Sequence, residues 1–380
     1  MGIPIIDLFS GAGGIGVGVK KINADLRLSV EIDKLACETM SSNPKYHDGK
    51  VLQADVCSLT GGELRERAGL SSQEPFIIVG GPPCQPFSKA SYWTDSGEDS
   101  NYRKARAMGI ELKKPSIITQ AKPDERRSLV SEYFRLIKES NPEGFLFENV
   151  PSIMHPRNIG VFDHFKKSVE EIGYKTLYLK VNSQDYGLAQ KRHRVILLGM
   201  KSETPPPPIK THSDSLVEIN LGLDKYVSVG EALRMFSGNE YFEPEEVISG
   251  KWAAHLHEIP PGMNYKALTE WAGHPNPTFV AETRFWNFLL KLHPNEASWT
   301  IAANPGPWTG PFHWENRRLR TVELAILQGF PPDYIFKGNR RDRVKQIGNA
   351  LPSNVAAACL SPMISLLNGQ SFKKETLLAL

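Results

Sequence analysis

The chain has 380 residues, of which 40% are hydrophobic and 23% charged, and a formal net charge of +3. That length exceeds one ordinary core and predicts two domains, or one large domain with an insertion. The composition excludes a disordered chain, and a charge this close to balance excludes a nucleic-acid binder announced by bulk charge, so any basic surface must be local.

The chain shows no run of eighteen apolar residues and no charged-then-apolar leader before IPIIDLF, which predicts neither a membrane span nor a secretory signal but a cytoplasmic or nuclear protein. IPIIDLF at 3–9 reads as a buried strand, SGAGGIGVG as a glycine-rich turn, and the residues after it as a helix. Further strands are expected at LRLSV before Glu31, VLQA before Asp55, FIIV at 76–79, GFLFENV at 144–150 and RVILLG at 194–199, with helices such as LVSEYFRLIKES between them. Strands alternating with helices predict an α/β fold with a doubly wound, parallel sheet. Between Lys89 and Ser128 lies a polar, Lys/Arg-rich stretch without a period, which is either a loop that closes over a site or a solvated insertion.

The rhythm stops at Pro205–Pro208, a stiff extended connector. From 205 to 315 a smaller module is expected: it holds Trp252, Trp271, Trp286, Trp299, Trp308 and Trp314, six of the seven tryptophans, together with His255, His257, His274, His293 and His313. More than half of those tryptophans are expected to form the module's own core. Helical periodicity resumes with TVELAILQGF, and PSNVAAACLSPMISLL is expected to be the closing helix.

Gly11, Gly13 and Gly16 satisfy GxGxxG between a strand and a helix, and Glu31 follows Gly11 by twenty positions at the end of the next strand. Glycines let a ligand approach the backbone and the carboxylate accepts from ribose hydroxyls, which suits an adenosine-bearing cofactor; the same glycines also serve close strand-to-helix packing. Asp55 adds an acceptor for an adenine amino group. In GGPPCQPFS, Cys84 follows a strand at the carboxyl edge of the sheet, framed by prolines and by Gly80 and Gly81. A cysteine is ordinarily a small buried hydrophobe, but that role needs no such frame. A loop leading into a helix N-terminus, with arginines nearby, is expected to raise the thiolate population.

Glu148 ends an apolar strand, where a carboxyl group is either paired in a cleft or caps the next helix. Gln190, Arg192 and Arg194 alternate onto one strand face, which grips a carbonyl oxygen or phosphate or else is simply solvated, the better reading of those residues alone. Cys37, Cys57, Cys84 and Cys359 form no CxxC pair, and the histidine spacings fit no zinc site, so reduced thiols and no metal are expected.

In content and order these stretches resemble the DNA (cytosine-5)-methyltransferase family: DLFSGAGG its cofactor loop, GGPPCQPFS its nucleophile loop, ENV its acid motif, QKRHRV its arginine motif, and RLRTVELAILQGFPPDY with QIGNALPSNVA its last two. The resemblance implies a Rossmann-like methyltransferase sheet. It implies a discontinuous catalytic domain, 1–204 with 316–380, whose final helix returns to the first strand, and a target-recognition domain at 205–315. It implies S-adenosylmethionine held by Phe9, Ser10, Gly11, Ala12, Gly13, Gly14, Ile15, Glu31, Ile32, Asp55, Val56, Pro82, Leu129, Asn349 and Ala350. Cys84 is then the nucleophile that adds to carbon 6 of a cytosine extruded from duplex DNA, Glu148 holds N3 and the exocyclic amine, Arg194 binds O2, and Arg192 supports the loop or thiolate. Arg284, Arg317, Arg318 and the aromatic residues of the insert are candidates for contacts to DNA. The segment after Cys84 is longer than the family's, so Gln85, Ser88 and residues near Lys104 are candidates for filling the vacated base stack. A monomer of bacterial or phage modification type, working beside a restriction endonuclease, is expected.

Three rivals remain. A nicotinamide-dependent oxidoreductase rests on GAGGIG alone and leaves Cys84, Glu148 and QKRHRV unexplained. A transfer-RNA cytosine-5 methyltransferase shares the motifs but does not call for a large insert. A non-catalytic homologue conflicts with the intact Cys84, Glu148 and Arg194 set.

Overall fold

The computed structural model describes residues 2–87, 101–102, 105, 110–113, 124–281 and 284–369. Ser88, Lys104 and most of 89–128, with the loop expected there, lie outside the described residues.

The first half of the chain alternates β1 (Pro4–Leu8), α1 (Gly14–Lys21), β2 (Asp25–Glu31), α2 (Lys34–Ser41), β3 (Lys50–Gln53), α3 (Gly61–Arg67) and β4 (Ile77–Gly80). It continues with α4 (Leu129–Ser140), β5 (Gly144–Asn149), α5 (Ile159–Glu171), β6 (Lys175–Asn182), the short β7 (Gln190–Lys191) and β8 (His193–Met200). Seven of these strands form one sheet in the order β3-β2-β1-β4-β5-β8-β6. Central strands read as continuous apolar runs because both faces are covered: Ile5, Ile6, Leu8, Ile77, Ile78, Val79, Phe145, Leu146 and Phe147 are wholly buried.

The sheet is mixed, which corrects the expectation of a purely parallel one. β8 runs antiparallel to both β5 and β6. A parallel return needs a crossover of about a dozen residues or more, usually a helix. Only 183–192 separate β6 from β8, with a single 3-10 turn at Ser183–Tyr186, so the strand must reverse. β6 is the element the sequence reading missed: KTLYLKVN is an edge strand with alternating polar and apolar residues, and most of it is only half-buried.

One face of the sheet packs Ile6, Leu8, Ile78, Phe145 and Phe147 against Tyr133, Leu136, Phe162 and Phe165 of α4 and α5. The other packs Ile5, Val79, Leu146, Ile196 and Leu198 against the last helix of the chain. That end of the chain forms α6 (Thr321–Leu327), α7 (Arg340–Asn349) and α8 (Ser353–Leu367). α8 lies on α1 at a distance only glycine permits: a Cβ on Gly18 would stand 2.5 Å from the Ser353 carbonyl oxygen and 2.8 Å from Ala356 Cβ. Arg340–Leu367 has the length and hydropathy of a membrane span, yet 72% of its most apolar window is buried within the protein, and it comprises two helices parted at Ala350–Pro352.

Packing crosses both expected domain boundaries. Val229, Leu233, Leu292 and Ile301 of the insert share one cluster with Ala12, Leu324, Leu327, Tyr334 and Ile347. Leu256, Ile259, Tyr265, Leu268, Phe279, Leu289 and Phe312 form the insert's own core. Arg320 ties the two regions together, reaching the Glu246 carboxylate and the carbonyls of Phe236 and Gly238.

Candidate active site

The strand order brings the carboxyl ends of β1, β4 and β5 side by side, and reversal of β8 brings its beginning to the same edge. Glu148 at the end of β5 and Arg194 at the start of β8 therefore meet, with Arg194 Nε 2.7 Å from Glu148 Oε1 and both residues buried. The loop after β4 lies against this pair. A Cβ on Gly81 would stand 2.7 Å from Glu148 Oε2, so any side chain there would displace the carboxylate.

The next residue of the acid motif clamps the same loop: Asn149 Nδ2 donates to the Pro82 carbonyl at 3.1 Å. Cys84 follows, half-buried, and the Phe87 amide donates to its carbonyl at 3.0 Å to close a 3-10 turn over Gln85–Phe87. Arg127 holds the far side of the turn through the Pro86 carbonyl at 3.1 Å and the face of Phe87 at 5.0 Å.

The electrostatics correct one expectation. Burial and the Glu148 carboxylate push the Cys84 thiol above its ordinary range, and the opposing pull of Arg194 and Arg192 does not overcome them. One 3-10 turn supplies little dipole compared with a full helix. Burial likewise raises Glu148, against the pull of Arg194 and Arg192.

The solvated-face reading of QKRHRV is overturned: Gln190, Arg192 and Arg194 are all buried. Gln190 donates to the Leu327 carbonyl and the Gln328 side chain and accepts from the Ile301 amide. Arg192 donates to the carbonyls of Ile301 at 3.2 Å, Gly348 at 2.7 Å and Ala350 at 3.2 Å. Its guanidinium thus joins the strand to the insert and to the last motif, and it influences Cys84 and Glu148 through charge and position.

Around the glycine turn, Gly11 donates its amide to Glu31 Oε2 at 2.7 Å, and Glu31 Oε1 accepts from Ile32 and Asp33. Nothing lies within 4 Å of a Cβ position on Gly11, whereas Gly13 and Gly16 face the His47 ring and Gly14 faces the Leu351 carbonyl. Two of the three motif glycines therefore serve packing. Ser10 Oγ donates to the Asp7 carbonyl, Phe9 holds a left-handed φ of 57°, and Ala12 and Ile15 point into the core.

Ile32 is 63% exposed beside Glu31. Asp55, exposed on the next strand end, accepts from the Cys57 amide and caps a turn that includes buried Val56. Pro82 is buried next to Cys84, Leu129 opens α4 half-buried, Asn349 is exposed at the end of α7, and the Ala350 carbonyl receives Arg192. An open glycine, an exposed aliphatic side chain and two carboxylates on adjacent strand ends fit an adenosine-bearing cofactor. A cavity of 510 Å³ lies elsewhere, between 301–312 and α7, and none of its lining residues belongs to either candidate set.

Three tryptophans pack, Trp252 and Trp308 in the insert's core and Trp314 against the shared cluster, while Trp271, Trp286 and Trp299 are exposed. Only two of the six therefore join the insert's own core, short of the majority expected. Trp286 and Trp299 meet edge to face at 4.7 Å, and Lys191 Nζ lies 5.3 Å from the Trp299 ring. Trp299 pairs with Lys191 in a two-residue parallel ladder, one position before Arg192. Arg317 and Arg318 have internal partners, the Glu323 carboxylate and the carbonyls of Glu245 and Val247, so they do not stand free for phosphates. Arg284 is exposed, its guanidinium 5.8 Å from the Phe288 ring.

Sequence reasoning missed the Asn149 clamp, the Arg127 brace and the His47–Tyr334 contact behind the glycine turn. The amide after Glu148 and the tyrosine closing FPPDY were the available signals.

A parallel-rich sheet with a glycine turn on β1 and a cysteine loop on β4 facing a carboxylate–arginine pair defines a Rossmann-like methyltransferase. The family described as C-5 cytosine-specific DNA methylase matches residues 3–365, and the chain belongs to it. It is 32% identical to the type II methyltransferase M.SacI of Streptomyces achromogenes, over 96% of this chain and 93% of that one. It is 27% identical to M1.HphI of Haemophilus parahaemolyticus, over 96% and 88%. The fold is similar to a protein assigned as a DNA modification methyltransferase of an E. coli prophage, with a TM-score of 0.61 at 22% identity over 96% and 99% of the chains. The protein is a DNA (cytosine-5)-methyltransferase of the bacterial modification type.

Proposed function

We propose that the protein methylates carbon 5 of a cytosine swung out of a specific duplex DNA sequence, through a transient bond to Cys84. The observation that carries this reading is the Glu148–Arg194 pair at 2.7 Å with the Cys84 loop laid against it. A stacked base is out of reach, so the cytosine leaves the duplex at a cost of about a few kcal/mol.

In the pocket, Arg194 binds O2, and Glu148, already biased toward its protonated form, donates to N3 and accepts from the exocyclic amine. Cys84 passes its proton to water and its sulfur bonds to carbon 6; the electrons of the 5,6 double bond move to carbon 5, which becomes nucleophilic. Gly11, Glu31, Ile32 and Asp55, with the other candidate residues of that edge, would hold S-adenosylmethionine, whose electrophilic methyl group would pass to carbon 5 while the sulfur keeps the bonding electrons as a neutral thioether. A water molecule removes the carbon 5 proton, the double bond reforms, and the Cys84 thiolate leaves. Arg192 keeps the arginine strand, the Ile301 loop and the Gly348–Ala350 turn in register.

The exposed Trp286 and Trp299 and the half-buried Lys191 offer aromatic and cationic contacts to DNA next to that strand. The reading includes a monomer in the cytoplasm and a restriction endonuclease acting on the same site.

An oligonucleotide carrying 5-fluorocytosine in the target site tests it, because fluorine at carbon 5 blocks the final elimination. The wild-type protein is expected to form a covalent adduct that Cys84→Ser does not, and bisulfite sequencing of DNA from cells expressing the chain is expected to reveal one modified sequence. Adducts with RNA alone would move the substrate to RNA; no adduct on either would leave the fold without the chemistry.

A further inference from the structure

Behind the glycine turn, three residues distant in sequence form a buried chain of hydrogen bonds. His47 Nε2 lies 2.7 Å from the Tyr334 hydroxyl, which lies 2.5 Å from the Ala12 carbonyl oxygen. A carbonyl only accepts, so Tyr334 directs its single proton to Ala12. The tyrosine oxygen must then accept from His47, which fixes the imidazole as the Nε2–H tautomer.

That assignment agrees with the surroundings. His47 is buried at 4% exposure, and burial lowers it to about 4, so the ring is neutral at working pH. Nδ1 is buried without a hydrogen-bond partner among the described residues, as an unprotonated nitrogen can be.

The ring also acts as a wedge. Its Cε1 stands 2.2 Å from a Cβ position on Gly13 and 2.5 Å from one on Gly16, so it fills the space that side chains on the motif would need. Tyr334 is braced by Phe330 at 4.8 Å and Phe336 at 5.1 Å between ring centroids. The peptide between Ala12 and Gly13 is therefore held at both ends, its carbonyl by Tyr334 and its N–H by the Ser10 carbonyl at 2.9 Å.

We propose that His47 and Tyr334 are positioning residues for the cofactor-binding turn, a buried relay that fixes the Ala12–Gly13 peptide so that the open face at Gly11 is preformed. This rests on the reading that the turn binds S-adenosylmethionine. A preformed loop lowers the ordering cost of binding and acts on affinity more than on the chemical step.

The test uses the full chain and S-adenosylmethionine as the probe. Tyr334→Phe keeps the ring and removes the proton that Ala12 receives; loss of a buried hydrogen bond predicts a KM and Kd for S-adenosylmethionine about tenfold higher, with kcat at saturation nearly unchanged. His47→Ala is expected to weaken binding similarly, and His47→Gln, which keeps an N–H donor near the Nε2 position, to restore most of the affinity. If the wild type binds the probe in calorimetry and Tyr334→Phe binds equally tightly, the relay has no positioning role and the proposal falls alone. It falls in the same way if Tyr334→Phe lowers kcat and melting temperature with KM unmoved, the pattern of a purely structural contact. A wild type that binds no S-adenosylmethionine would overturn the functional reading and this proposal together.

Discussion

Cys84 is held as a thiol by its surroundings. Burial and the Glu148 carboxylate both favour the protonated sulfur, and the two arginines only moderate them. Alkylation by iodoacetamide, followed peptide by peptide so that exposed Cys57 is scored separately, is therefore expected to accelerate at Cys84 only at a pH above that of an ordinary thiol. The sign is testable: Glu148→Gln removes a negative charge that disfavours the thiolate, so its midpoint should move to lower pH even as methylation is lost. An unmoved midpoint would mean that burial alone sets the thiol. The proline and glycine frame of Cys84 and the carboxylate ending an apolar strand made these residues legible in the sequence. Their ionisation was not, because it depends on a contact between β4 and β5 that no local pattern encodes. GxGxxG was legible only in part: Gly11 faces open space, but Gly13 and Gly16 answer to His47, a residue no motif links to them.

At the scale of elements, the same arginine motif divides into two tasks. Arg192 serves carbonyls on the Ile301 loop and the Gly348–Ala350 turn, whereas Arg194 faces Glu148. Arg192→Met fills the volume but takes the guanidinium donor from the Ile301 and Gly348 carbonyls, while Ala350 keeps Gln328; at about 1–3 kcal/mol for each lost bond, its melting temperature should fall well below that of Arg194→Met. Arg194→Met should instead lose methylation while binding S-adenosylmethionine; equal melting losses would merge the two roles. α1 and α8 give a second case. Gly18→Ala places a methyl group 2.5 Å from the Ser353 carbonyl oxygen and should destabilise the fold by about 1–3 kcal/mol, read from denaturant unfolding. The alternation of apolar strands and helices made the β1–β5 half of the sheet readable. It concealed β6, whose polar edge breaks the run, and the direction of β8, which depends on the length of the connection rather than on the strand's own residues.

Across the whole molecule, the insert is anchored rather than hung on a linker. Its Glu243 and Glu246 pair with Arg340 and Arg320, and Val229, Leu292 and Ile301 lie in the cluster that backs the glycine turn. The change of composition after Pro208 was visible in the sequence, but the shared cluster was not, since its members are scattered apolar residues that only the fold assembles. The same anchoring places Trp299 opposite Lys191, one position before Arg192, with Trp286 against it, beside the arginine strand. An aromatic face that stacks on a base contributes about 1–3 kcal/mol, so Trp299→Ala should weaken binding to the target duplex by roughly tenfold or more. S-adenosylmethionine affinity should stay at the wild-type value, because among the described residues no hydrogen bond or ring contact joins a cofactor candidate to Trp299 or Lys191. Fluorescence anisotropy with cognate and scrambled duplexes separates two forms of the contact: equal losses on both make it a general grip, and a larger loss on the cognate makes it part of sequence reading. Unchanged binding to both would remove the tryptophan pair from the DNA surface and return that role to Arg284 and the remaining exposed side chains of the insert.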